Sequence, residues 1–118
     1  LYKAFVSFEG LFPADDIVRW KLQAIALEAE SGPRRRVNID PGYIDGARLA
    51  LASTKDHAHR IYISDGIFAE ITLRFMFGRW VSYDHTFPDF KSGRYDDFLS
   101  LVRNDWLSEI RRKRRTTA

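Results

Sequence analysis

The stretch from residue 36 to residue 75, RVNIDPGYIDGARLALASTKDHAHRIYISDGIFAEITLRF, constrains the fold more than any other part of the chain. Four strand-like runs with alternating apolar residues are joined by connections carrying Gly, Pro and Asp. That is the pattern of an antiparallel meander with one oily and one polar face. Alternation also sets the register, because a one-residue slip turns every side chain to the wrong side. A two-residue loop at Asp65-Gly66 would set Ile61 against Glu70 and Arg60 against Ile71, mixing charge with oil. A three-residue loop, Ser64-Asp65-Gly66 with Gly66 left-handed, instead pairs Ile63 with Ile67, Ile61 with Ala69 and Arg60 with Glu70.

The same criterion at the turn Lys55-Asp56-His57 pairs Leu51 with Ile61 and Leu49 with Ile63. One strand earlier, Val37 meets Leu51 and Ile39 meets Leu49, with Asp40-Pro41-Gly42-Tyr43 as a type II turn in the connection. The oily face then consists of Val37, Ile39, Leu49, Leu51, Ile61, Ile63, Ile67, Ala69, Ile71, Leu73 and Phe75. The polar face carries Arg36, Asn38, Asp40, Arg48, Arg60, Tyr62, Glu70, Thr72 and Arg74. Small Ala50 and Ala52 between them floor a shallow trough walled by Asn38, Asp40, Arg60 and Glu70.

The flanks supply the rest of an α+β fold. Residues 2–9, YKAFVSFE, read as a further strand with an open edge. Pro13 suits the first turn of a helix, Asp15 and Asp16 complement its positive end, and Gly32-Pro33 stops it. Val18, Leu22, Ile25 and Ala29 form its apolar stripe. Residues 77–90 read as an aromatic loop packed onto the domain. Ser92 is placed to cap a second helix whose stripe is Tyr95, Phe98, Leu99, Val102, Trp106 and Ile110. The expectation is an antiparallel sheet of about five strands with two helices mainly on one face, a single domain over residues 1–110 and a basic tail over 111–118.

Composition narrows the class of protein. A chain of 118 residues is one small domain, and no apolar run approaches the length of a membrane-spanning helix. The absence of cysteine excludes disulfides and thiolate metal sites and fits a reducing, cytoplasmic setting. Arg111, Arg112, Lys113, Arg114 and Arg115 contribute five positive charges to a net charge of +3, so the remainder of the chain is net −2.

The strings RRVNIDPGYI, LASTKDHAHRIYI, DGIFAEITLRF, HTFPDF and SGRYDDFL, in this order, resemble the prokaryotic family known as domain of unknown function 4416. The resemblance covers nearly the whole chain. Members of that family usually possess a further N-terminal segment beginning with a strand, so the resemblance implies that this chain is a truncated, cleaved or partial version. Some members are labelled GTP-binding, which makes a nucleotide one expected ligand. Neither G-x-x-x-x-G-K-[ST] nor G-x-G-x-x-G occurs, so a standard phosphate cradle is not part of that expectation.

Arg60 opposite Glu70 is the sharpest constellation in the sequence. Glu70 beside Asp40 can serve as general base or as a metal ligand, Asn38 can orient a substrate, and Arg60, Arg36 or Lys55 can meet phosphate oxygens, with Tyr62 on the same face. The plain reading is a cross-strand ion pair worth roughly 0.2–1 kcal/mol. His57 falls in a turn and His59 on the oily face, where a hydrogen-bonded core-edge histidine is expected. A zinc site would need a third donor, so no metal is assigned. His85 near Asp89 is unresolved by spacing alone. The basic run 111–115 offers salt-dependent contacts to RNA phosphates, or is simply the solvated negative end of a helix. A third function is a structural or interaction module, with a partner or a second copy adding a strand at the open edge.

Overall fold

The computed structural model describes residues 3–33 and 37–117. The elements in chain order are α1 (Asp16–Glu30), β1 (Gly42–Ile44), β2 (Arg48–Ser53), β3 (Arg60–Ser64), β4 (Ile67–Met76), β5 (Arg79–Ser82), α2 (Pro88–Lys91) and α3 (Asp96–Thr117). The five strands form one antiparallel sheet, and the architecture is α+β.

The sheet is organised by β4, which at ten residues is its longest strand. The whole of β2 pairs along one edge of β4, while the other edge is divided between β3, opposite residues 67–70, and β5, opposite residues 73–76. This overturns the meander. β2 and β3 are not hairpin partners; they lie on opposite edges of β4, and the connection from Thr54 to His59 carries the chain across it.

The β3–β4 hairpin keeps two of the three expected pairs by a different route; the third is lost, because Ile67 faces Ser64 and Ile63 is the extra residue. Arg60 faces Glu70 and Ile61 faces Ala69, yet the loop has two residues, Asp65 and Gly66, both with positive φ. A shift between Tyr62 and Ser64 inserts the compensating residue, restoring the sorting of side chains that a regular two-residue hairpin would lose.

Two expected strands are absent and two others replace them. Residues 3–9 and 37–40 have no regular structure; the true partner of β2 is β1, with Gly42 opposite Leu51 and Ile44 opposite Leu49. The turn into β2 is at Asp45, whose Oδ1 accepts from the amides of Ala47 and Arg48. Gly42 is a strand residue: a Cβ there would stand 2.2 Å from the Ala50 carbonyl oxygen. The fifth strand, β5, lies inside the segment read as a loop. It is reached through Phe77-Gly78, a two-residue turn with positive φ at both positions.

Leu49, Leu73, Trp80, Phe90 and Leu99 make one core cluster, joined by Phe5, Leu51, Tyr95 and Phe98. Ile17, Val18, Ala52 and Ile67 make the other, joined by Trp20, Tyr43 and Ile63. Leu49 and Leu51 alternate with Ala52 along β2, and Ile44 alternates with Tyr43 along β1, so α3 and α1 divide the two faces of the sheet between them. α1 is also rotated from its expected stripe. Its buried residues are Ile17, Val18, Lys21, Ala24 and Glu28, leaving Leu22 at 43% and Ile25 at 38% exposure. The two buried charges explain the rotation. Lys21 Nζ donates to the Ile39 carbonyl at 3.3 Å, and Glu28 Oε2 accepts from the Ile39 amide at 2.7 Å, tying the chain before β1 to the helix.

α3 runs without a break through Arg111–Arg115, so the basic run is helical. Among the described residues, no helix is long and apolar enough to cross a membrane.

Candidate functional site

The divided outer edge of β4 leaves a seam between β3 and β5. β2 sets Leu49 opposite Leu73 but Ala50 opposite Ile71, which makes Thr72 an extra, bulged residue. Its buried side chain points its hydroxyl at Glu70, with Oγ1 donating to Oε2 at 3.1 Å. The backbone at the seam is completed by side chains from the loop after β5. His85 Nε2 donates to the Ile71 carbonyl at 3.0 Å, and Thr86 Oγ1 donates to the Thr72 carbonyl at 2.7 Å. A carbonyl only accepts, so the His85 proton sits on Nε2.

Glu70 is the hub. Oε1 accepts from His59 Nε2 at 2.7 Å and from Arg60 Nε at 3.0 Å. Arg60 Nη1 also donates to the Lys55 carbonyl at 3.1 Å. The side chains of Glu70 and Arg60 are only 5% and 8% exposed, so this is a buried pair and not the solvated cross-strand contact of the plain reading. Burial alone would push the Glu70 carboxyl up. The hydrogen bonds from His59, Arg60 and Thr72 outweigh it and hold the carboxyl below its ordinary value, so Glu70 is a carboxylate at neutral pH.

Above the hub the rings form a column. His59 and His85 stack at 4.1 Å between centroids and 14° between planes, Tyr83 stacks on His85 at 5.1 Å, and the Arg74 guanidinium caps Tyr83 at 4.8 Å. His57 meets the side of His59 edge-on at 5.7 Å.

Of the residues singled out in the sequence, the structure brings Arg60 and Glu70 together and sets the Lys55 carbonyl against them. Asp40 lies elsewhere: its Oδ1 is 3.5 Å from Lys21 Nζ, and its Oδ2 accepts from Asn38 Nδ2 at 3.3 Å. The alanine-floored trough does not form, because Ala50 and Ala52 are buried and Ala52 packs under α1. The bulge removes the trough, since it sets Glu70 opposite Leu51 rather than beside the alanines. Tyr62 is exposed, with its hydroxyl accepting from the Gly66 amide. Arg36 lies outside the described residues. Arg111, Arg112, Lys113, Arg114 and Arg115 are exposed on the last turns of α3, far along the chain from the hub.

His59, Thr72, Tyr83 and His85 are the site residues that sequence reasoning did not assemble. Strand alternation places His59 on the oily face, but β3 starts at Arg60, so alternation does not govern it. His85 reaches the seam because β5 returns the chain along β4, and spacing carries no trace of that.

A five-stranded antiparallel sheet with a helix on each face, and a buried carboxylate hub at a seam along its longest strand, defines this as an α+β protein. Residues 1–106 match the family described as Domain of unknown function (DUF4416), and the chain belongs to that family. No curated protein and no solved structure matches it.

Proposed function

We propose that the chain binds a small anionic ligand, a nucleotide or a phosphorylated metabolite, at the seam around Glu70. The supporting observation is the gathering of His59, His85 and Arg60 around one buried carboxylate. Glu70 orients the imidazole of His59 and holds Arg60 in place, leaving the outer edges of the two stacked rings, with Lys55 nearby, to meet an anion. In this arrangement Glu70 is a positioning group: its oxygens already accept from three donors, so the proton-accepting group of the site is His59. Asp40, engaged by Lys21, takes no part. A nucleotide such as GTP is one candidate within this class, and a cytoplasmic setting fits a chain without cysteine.

The test is a melting-temperature screen of the whole chain against nucleotides, sugar phosphates and inorganic phosphate, repeated on His59→Gln and Arg60→Gln. A ligand-dependent rise that both variants lose supports the reading. A rise that both variants retain places the ligand elsewhere, and no rise with any anion rejects the site.

RNA binding through α3 is the second reading. It is favoured by the helical form of the basic run, which presents Arg111, Arg112 and Arg115 on an exposed surface with Ser108. Non-specific binding of this kind weakens steeply with salt. Replacing the five cations of residues 111–115 by Ser should abolish retention of a single-stranded RNA, and unchanged retention would reject it. A protein-interaction role draws support from the exposed apolar side chains of α1. A chain that stays monomeric at high concentration in light scattering argues against self-association there.

A further inference from the structure

We propose that His59, Glu70 and His85 form a binding site for a divalent transition-metal ion, with Zn²⁺ as its probe. Three separate segments converge here: the crossover before β3, the middle of β4 and the loop after β5. A nitrogen of each imidazole and a carboxylate oxygen of Glu70 all lie within 4.8 Å of one another. Two imidazoles and one carboxylate are a donor set that suits zinc, iron and nickel, and they leave coordination positions open for water or for a substrate oxygen. The chain contains no thiolate to compete for the ion.

The supports around the donors are those a metal site requires. Thr72 and Arg60 fix the carboxylate through 3.1 Å and 3.0 Å hydrogen bonds. The His85 ring is held in place against the Ile71 carbonyl, and stacking fixes the ring of His59 beside it. Such outer contacts set the orientation of metal-binding imidazoles and carboxylates. The carboxylate is buried and the imidazole of His59 is 30% exposed, so an ion reaches the site from the solvent side and meets the carboxylate last.

Zinc–nitrogen bonds of about 2.0–2.1 Å in tetrahedral geometry set adjacent ligand atoms about 3.3 Å apart. His59 and Glu70, now 2.7 Å apart and sharing a proton, must open slightly to admit the ion in place of that proton. The nearly parallel rings must splay from their 14° stack so that both point at one centre. Both are side-chain adjustments, because His59 precedes β3 and His85 follows β5.

The inference does not depend on anion binding; zinc added alone decides it. The chain has three histidines, which makes the test sharp. Titration of the whole chain with Zn²⁺ by calorimetry should show one ion per chain and a rise in melting temperature, and Co²⁺ should give the visible absorption of a nitrogen- and oxygen-bound ion. His59→Gln and His85→Gln should each weaken Zn²⁺ binding by about tenfold or more, while His57→Ala leaves it unchanged. His85→Gln retains an amide N–H for the Ile71 carbonyl, so it keeps the fold if His59→Gln does not. Absence of one-to-one uptake overturns the proposal. So does a loss in His57→Ala equal to that in His59→Gln with none in His85→Gln, which would assign the ion to an exposed pair of neighbouring histidines.

Discussion

Thr86 donates its hydroxyl proton to the carbonyl of Thr72 at 2.7 Å and accepts from the amide of Tyr83 at 2.9 Å, so one small side chain ties the loop after β5 to the bulge of β4. Both groups lie at the seam where β4 has no strand along its outer edge. Thr86 is buried, so removing its hydroxyl strands a donor and an acceptor away from water.

Thr86→Val keeps the shape of the side chain and removes both bonds. It should cost about 2 kcal/mol in urea denaturation, the scale for leaving buried polar groups unpaired. A cost under about 0.5 kcal/mol, typical of a plain surface change, would mean that the seam is not held in this way.

Glu70 should be the most sensitive polar position in the sheet. Glu70→Ala leaves a guanidinium that is 8% exposed without its counter-charge and should lower stability by about 3–5 kcal/mol. Glu70→Gln preserves the shape and part of the acceptor capacity, so its cost should be smaller. Equal, slight losses in the two variants would contradict the hub.

The pair of Lys3 and Asp89 should contribute within a window of pH. Burial alone would raise the Asp89 carboxyl, but hydrogen bonds from Lys3 and Tyr95 outweigh it and hold it below 3.8. Its contribution is therefore full above that value and is lost as pH falls through the lower folded-state value. The hydrogen bond to Asp89 raises the Lys3 ammonium above 10.5, so its share is full below 10.5 and is lost as pH rises through the higher folded-state value. With Lys3 half exposed, the coupling should be about 0.5 kcal/mol. A double-mutant cycle of Lys3→Met and Asp89→Asn should find this coupling at neutral pH and should find it shrinking as pH is lowered through the folded-state value of Asp89.

The rotation of α1 makes its two apolar stripes unequal. Ile17 is fully buried and Ile17→Ala should cost about 3 kcal/mol, whereas Leu22→Ala should cost less than about 1 kcal/mol. Equal costs would restore the stripe expected from spacing.

Legibility followed the range of the interactions. The α+β class, the number of strands and the pairing of Arg60 with Glu70 were legible because side-chain alternation is a local code. Which strand pairs with which was not. Lys55-Asp56-His57 reads equally well as a hairpin turn or as part of a crossover, and only the length of β4 lets it accept two partners on one edge. The β5 hairpin was hidden because its turn places Phe77 at positive φ, a conformation foreign to most aromatic residues. The stripe on α1 misled because its buried face carries Lys21 and Glu28, charges that find partners in the chain before β1. The candidate site failed to assemble for the first reason: His59 and His85 meet only when β3 and β5 have both docked on the same strand.

Dividing one edge of β4 between two short strands gives the sheet a place to part without breaking a backbone ladder. The seam is closed by a ring N–H and a hydroxyl, both on a loop, so the loop from Tyr83 to Phe87 can lift while β2, β3 and β5 keep every rung. In hydrogen exchange the Tyr83 amide should accordingly open ahead of its neighbours in β5, and anything lodged between His59 and His85 should act as a latch that slows it.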